Sequence, residues 1–344
     1  MNPSHVMVLD RSCTNGCRHC YTDPGRGNLR EARRISLEAR ALGYQVFFYP
    51  TRHTEECFEL QRILGQESEG LIARESWITA LDERFGWFDE VEISLHDAIP
   101  DVHDRLHGED GSFARTINAV TEFKRRFPSV TLSVWATICK PNHRRIEALA
   151  KLCLDLGVEV IYLIKLWYMG RARRLGPEWF LTSNEIGWFL DTVDRLNEHV
   201  TFKGRIGLAP RSNWGLSDRE IAELRRTGET AIGKIGIPEG AYCPAGRQTI
   251  CIDSRSGVIY PCQLFCADDR FRMGSWSAAG PVLERRLFDD LAARIGMPCR
   301  ECDAMDICGG GCRAEAISEY ERLTGLLDLN VGFTNCRRYL QAER

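Results

Sequence analysis

The 344-residue sequence contains no run of about 18 apolar residues, so no segment is long and oily enough to cross a bilayer as a helix. The stretch from Met1 to Leu9 is too short for a signal peptide and lacks its basic flank, and the expected location is the cytoplasm. There is no excess of positive charge. Lys and Arg number 45 against 48 Asp and Glu, a formal net charge of -3, which gives no field for nucleic acid or an anionic membrane. Low-complexity tracts and long repeats are absent too. What the chain has in quantity is cysteine, 15 residues. In a reducing compartment these are better read as metal-binding thiolates than as disulfides.

Three of them, Cys13, Cys17 and Cys20, lie in CTNGCRHCY at Cys-x3-Cys-x2-Cys. Three thiolates on one short loop suit an iron–sulfur cube that leaves one iron open for a ligand. The alternative is a zinc loop in which His19 completes a Cys3His tetrahedron. Upstream, His5–Leu9 reads as a buried strand that delivers this loop at its carboxyl end. Further strands are expected at 44–49, 90–95, 129–138 and 158–166. Helices are expected at 29–42, near 55–64 and 76–85, and at 113–126, 143–156 and 183–198. Alternating strands and helices with short links predict an α/β fold with a parallel sheet, whose chemistry gathers at the carboxyl ends of the strands.

A second set begins at Cys243. Gly257-x4-Cys262 follows, then Cys299, Cys302, Cys308 and Cys312 at Cys-x2-Cys-x5-Cys-x3-Cys, and finally Cys336. The four-cysteine run alone is expected by chance only ~0.001 times in a chain of this composition, so it is the strongest signal present. Zinc and iron share thiolate ligands, and a pair of zinc ribbons is the alternative here.

The first motif, followed by Tyr21, resembles the signature of radical S-adenosylmethionine (radical SAM) enzymes, and residues 243–336 resemble their SPASM domain. The resemblance implies a partial (β/α)6 barrel over residues 1–185, a bridging region at 186–240 and an auxiliary-cluster domain at 241–344. It implies a [4Fe-4S] cluster on Cys13, Cys17 and Cys20, S-adenosylmethionine as cofactor, and two auxiliary iron–sulfur clusters. Cys243, Cys262 and Cys312 would hold the nearer auxiliary cluster, for which Cys251 and Cys266 are both candidate fourth ligands. Cys299, Cys302, Cys308 and Cys336 would hold the distal one. Tyr21, Ser94 and Gly170 match cofactor-contacting positions, and Gly108, Gly111, Ser112 and Phe113 match the loop that opens the next helix. Ser112 is also a candidate helix N-cap. The family's Gly-Gly-Glu at the second strand is replaced by Tyr49-Pro50-Thr51-Arg52-His53, where Thr51 is the candidate replacement contact.

The resemblance implies abstraction of hydrogen by a 5'-deoxyadenosyl radical, with a ribosomally made peptide as the expected substrate and oxidative crosslinking or another modification as the outcome. The alternatives are a dehydrogenase of a small alcohol or aminocyclitol and, in another class, an iron–sulfur electron-transfer protein. A reductant such as flavodoxin or ferredoxin is implied. Only twelve residues precede Cys13, so the expectation is that a separate leader-peptide-binding protein serves a peptide substrate, that the substrate is short, or that it is no peptide. Cys139, at the end of a barrel strand, is the candidate hydrogen-atom donor, against the plainer reading of a small buried residue. Trp167, Tyr168, Trp179 and Trp214 are candidate cavity aromatics, with core packing as the alternative.

Overall fold

A computed structural model describes residues 3–13, 15–22, 25, 27–50, 54–66, 71–73, 83–210, 214, 218–227, 243–266, 268–287, 295–333 and 336–342. Its strands are β1 (His5–Leu9), β2 (Gln45–Tyr49), β3 (Leu71–Ala73), β4 (Glu90–Ser94), β5 (Thr131–Ile138), β6 (Val160–Lys165), β7 (Gly207–Pro210), β8 (Thr249–Asp253), β9 (Val258–Tyr260), β10 (Gly274–Ser277) and β11 (Gly280–Leu283). They form two sheets, ordered β3-β4-β5-β6-β7 and β11-β10-β9-β8-β1-β2. The first is parallel throughout, as short strands joined through helices require.

Alternation along the strands explains the layering. Val91 and Ile93 of β4, Leu132, Val134 and Ala136 of β5, and Ile161 and Leu163 of β6 join one buried cluster with Phe123, Phe189 and Trp214. Each large side chain taken from water there contributes roughly 1.5–3 kcal/mol. Helices close by local chemistry. Asn28 caps Leu29–Ala41 by accepting from Glu31 N–H, and Thr182 and Glu185 form a reciprocal capping box on Ser183–Glu198.

Three features differ from the expectations. Pro100–His107 is a helix in a stretch read as loop, because its buried face is made of His103, Leu106 and His107 rather than a run of aliphatics. Gly207–Pro210, within the polar stretch read as a bridge, is a strand paired with Val160–Leu163. The helix expected near 76–85 falls mostly outside the described residues, and Glu83–Trp87 is a short 3-10 turn. The sheets also run across the boundaries drawn at 185 and 241. β8, from the cysteine-rich region, pairs in parallel with β1 and sets Cys251 beside Met7. Among the described residues no helix is long and apolar enough to cross a membrane.

Candidate functional site

The loop carrying Cys13, Cys17 and Cys20 leaves the carboxyl end of β1 and is braced from two sides. On one side Arg18 N–H donates to Leu106 carbonyl at 3.1 Å, and the backbones of Gly16 and Gly108 touch so closely that a Cβ on Gly16 would lie 2.9 Å from Gly108 carbonyl oxygen. On the other, Arg171 N–H donates to Cys20 carbonyl at 2.9 Å and Arg171 Nη1 to Asn15 carbonyl at 2.8 Å. Gly170 has φ of +52° and its Cα faces the Tyr21 carbonyl with no room for a side chain, so glycine is required there. Gly170, matched by resemblance to a cofactor-contacting position, thus packs on the cysteine loop itself.

At the start of the loop, Arg11 Nη1 pairs with Asp253 at 3.0 Å and donates to Cys266 carbonyl at 3.1 Å, all buried. This ties the barrel motif to the cysteine-rich region. Tyr21 packs with Tyr49 and Trp167 onto the apolar cluster that contains Cys251, Cys266 and Cys299. Burial pushes its phenol up, with Cys20, Tyr49, Cys251 and Cys266 nearby adding to the effect.

Ser94 ends β4 half-buried, while Thr51 lies outside the described residues. Cys139 is 0 % exposed and packs with Leu106, Leu166 and Trp179, a place that suits the plainer reading of a small buried residue. Trp179 and Trp214 are likewise core residues, and Tyr168 stands edge-on to Phe180. Ser112 is not an N-cap: Gly111 occupies that position, and Ser112 opens the helix Ser112–Arg126 with its hydroxyl turned to two histidines.

The downstream thiols fall into two groups. Cys299, Cys302, Cys308 and Cys336 surround one cavity of about 30 Å³, whose other walls include Ile221, Met305 and Phe333. A wider cleft of about 310 Å³ beside it reaches Arg338 and Tyr339. Cys243, Cys262 and Cys312 feel one another's charge, with Cys266 next to Cys262. Cys251 and Cys266 approach with their sulfurs 3.3 Å apart.

Burial raises Cys243, Cys262 and Cys312 in one group and Cys299, Cys308 and Cys336 in the other, Cys308 and Cys312 to about 12. Backbone N–H groups point at the sulfurs: Phe333 N at Cys299 (3.1 Å), Gly310 and Gly311 at Cys308, Ala314 and Glu315 at Cys312. The last pair belongs to the first turn of the helix Arg313–Thr324, for which Cys312 is the N-cap. Such donors stabilise thiolates once a cation displaces their protons.

No protein-family model matches the sequence. The chain is 29 % identical over 188 residues to the pre-heme d1 synthase of Dinoroseobacter shibae, covering 50 % of this chain and 45 % of that protein. It is 23 % identical over 247 residues to the PqqA peptide cyclase of Ruegeria pomeroyi, covering 67 % and 57 %. It therefore spans about half the length of the curated relatives it matches. Its fold is similar to that of anSMEcpe with bound AdoMet, at a TM-score of 0.65 and 17 % identity over 99 % of this chain and 95 % of that one. It is also similar to Streptococcus suis SuiB bound to precursor peptide SuiA, at 0.63 and 15 % over 97 % and 76 %. The α/β fold with its parallel sheet therefore resembles that of radical SAM enzymes with SPASM domains.

The donor sets of this radical SAM–SPASM fold suit polynuclear clusters. The ligands available are soft thiols, which iron–sulfur clusters and zinc both accept. The hydrogen bond of His19 does not exclude it as the fourth ligand of a zinc loop, since metal-bound imidazoles commonly donate their other ring N–H to a carbonyl. His19 Nδ1 meets Leu106 carbonyl at 3.1 Å, and its ring lies edge-on to His96. Residues that spacing did not reveal are Arg171, the Arg11–Asp253 pair and the histidines around Ser112. Of these only the last left a sequence signal, two histidines at positions i and i+4, His103 and His107.

Proposed function

We propose that this protein is a radical SAM enzyme that modifies a peptide, with residues 1–185 as the main part of the catalytic barrel, 186–240 as a bridging region that adds the strand Gly207–Pro210 to the barrel sheet, and 241–344 as the auxiliary-cluster domain. The observation that carries the reading is the braced three-thiol loop at the carboxyl end of β1, tied through Arg11 to a region holding two further thiol groups. Cys13, Cys17 and Cys20 would hold a cluster with an open iron for S-adenosylmethionine, with Tyr21, Thr51, Ser94 and Gly170 as cofactor contacts. Cys243, Cys262 and Cys312, with Cys251 or Cys266, would hold one auxiliary cluster, and Cys299, Cys302, Cys308 and Cys336 the other. When bound, the barrel cluster and its cofactor supply a radical able to take a hydrogen atom from an unactivated carbon.

The chain's own part is positioning and exclusion. The turns at 106–108 and 170–171 hold the thiol loop, Arg11 and Asp253 neutralise each other under it, and Tyr21 and Trp167 pack on the apolar cluster that contains Cys251, Cys266 and Cys299. The relatives point to the substrate class, one being a PqqA peptide cyclase and another solved with a precursor peptide. A reductant of the flavodoxin or ferredoxin kind and a separate leader-peptide-binding protein belong to the same reading.

The test is 5'-deoxyadenosine formation by the anoxically reconstituted, reduced protein, compared with Cys13→Ala/Cys17→Ala/Cys20→Ala. Product only from the wild-type protein supports the radical chemistry, and a precursor peptide that then loses a pair of hydrogen atoms by mass supports the substrate class. No product from fully loaded protein with any peptide would move the assignment to an electron-transfer protein.

A further inference from the structure

Half of the chain's eight histidines stand together behind the cysteine loop. His19 belongs to the loop, His96 follows β4, and His103 and His107 lie one turn apart on the helix Pro100–His107. Ring centroids are 4.5 Å apart for His19 and His96, 5.4 Å for His96 and His103, and 5.4 Å for His103 and His107, the last two pairs stacked at 23° and 13°. His96, His103 and His107 are at most 2 % exposed. Nothing in the proposed chemistry uses them.

The hydrogen bonds define the protonation of each ring. His96 N–H donates to His103 Nδ1 at 3.2 Å, so the His103 proton is on Nε2, which lies 3.3 Å from Ser112 Oγ. The Ser112 hydroxyl, accepting there, gives its own proton to His107 Nδ1 at 2.9 Å. Thr137 N–H donates to His96 Nδ1 at 3.2 Å. His19 Nδ1 donates to Leu106 carbonyl, which also accepts from Arg18 N–H. Asp104 locks the following turn by accepting from Gly111 and Phe113 N–H at 2.6 and 2.7 Å. In this pattern His96, His103 and His107 each accept through Nδ1 and are neutral, so they supply directional bonds behind the thiol loop without placing charge there. Burial, with His107 adjacent, holds His103 down to about 3.

We infer that His96, His103, Ser112 and His107 form a neutral hydrogen-bonded scaffold that seats residues 15–19 of the cysteine loop, acting through Leu106 carbonyl and Gly108. They are positioning residues for the three thiols. The inference rests on the reading of Cys13, Cys17 and Cys20 as metal ligands only for its meaning; the seating of the loop is measurable without metal. The rival account is ordinary core packing, in which the imidazoles fill space and the hydroxyl is incidental.

Ser112→Ala separates the two, since it removes one oxygen and two hydrogen bonds with little change in volume. Full-length, metal-free protein is alkylated with N-ethylmaleimide under reducing-agent-free anoxic conditions, and the rates at Cys20 and at the barrel-core Cys153 are followed by peptide mass mapping. The scaffold predicts labelling of Cys20 about fivefold faster in Ser112→Ala, the size of a lost buried hydrogen bond, with Cys153 unchanged and Ser112→Thr returning toward wild type. In the reconstituted protein, the paramagnetic spectrum that responds to S-adenosylmethionine changes shape in Ser112→Ala while the signals that do not respond keep theirs. Wild-type labelling of Cys20 in Ser112→Ala, or Cys20 and Cys153 accelerated together, would overturn the inference. A wild-type protein with no cofactor-responsive spectrum counts against the proposed function instead, and leaves the labelling result to decide the scaffold.

Discussion

The barrel and the cysteine-rich region use cysteine in opposite ways. In the barrel, Cys13, Cys17 and Cys20 stand on a loop outside the main apolar cluster, whose members are aliphatic and aromatic residues of strands and helices with Cys153 as one small thiol among them. In the cysteine-rich region, Cys251, Cys266 and Cys299 are themselves members of the apolar cluster, and Cys243, Cys262, Cys312 and Cys336 pack against it. The barrel therefore has a core that is complete without metal. The other region has thiols where a metal-free domain would have leucines, so its packing and its ligand chemistry are the same contacts.

The largest expected effect follows directly. Removing iron from loaded protein with a chelator should release stability on the order of 10 kcal/mol from the cysteine-rich region, the scale on which structural metal sites hold small domains together. Hydrogen exchange should show protection lost over 299–336 and kept over 131–138 and 160–165. Equal loss in both regions would erase the contrast. In the reverse direction, Phe123→Ala opens a cavity in a fully buried position of the barrel core and should lower its urea transition by about 3–5 kcal/mol. Iron content of the cysteine-rich region should remain unchanged in that variant.

A seam variant tests how independent the two regions are. Lys165, at the end of β6, pairs with Glu315 of the helix Arg313–Thr324 at 2.7 Å, with side chains 5 % and 2 % exposed. Burial pushes Glu315 up to about 7 and Lys165 opposes it. Lys165→Met leaves a buried carboxyl without its cation and should cost about 3 kcal/mol in thermal or urea unfolding. Lys165→Met/Glu315→Leu should recover most of that. A double variant no better than the single one would mean that the pair has a positional role beyond mutual neutralisation.

Much of this was legible in the sequence where one signal dominated. Val6, Val134 and Leu163 announced strands by apolar runs, and Cys299, Cys302, Cys308 and Cys336, grouped by resemblance, line one cavity. Legibility failed where burial is polar or pairing is long-range. The helix Pro100–His107 hides behind a buried face containing two imidazoles. β7 has only four residues and a glycine, and owes its existence to the edge of β6. No local pattern could announce that Thr249–Asp253 pairs with His5–Leu9, since the two stretches are far apart in sequence and register is set by the assembled sheet. Ser112 looked like a cap because serine usually is one at a helix start; the cap is Gly111, and the hydroxyl was taken by His103 and His107.

The smallest expected effect sharpens the contrast through acid. The buried thiols Cys308 and Cys312 are raised to about 12 and, in metal-free protein, do not titrate below neutrality, whereas His103 of the barrel is held down to about 3. An unfolded chain takes up that proton near 6.5 and the folded barrel does not, so the unfolded state binds more protons over the interval between. The stability contribution is thus fully present above pH 6.5 and is lost as pH falls toward 3, by about 1.4 kcal/mol for each unit. Metal-free protein followed by urea unfolding of the barrel from pH 7.5 to 5.5 should lose stability only below 6.5. His103→Gln, which keeps a donor toward Ser112 and does not titrate, should flatten that slope even if it lowers the plateau. A slope as steep in His103→Gln as in wild type would assign the acid sensitivity to groups other than this imidazole, and the imidazole stack would then be inert to acid across the range.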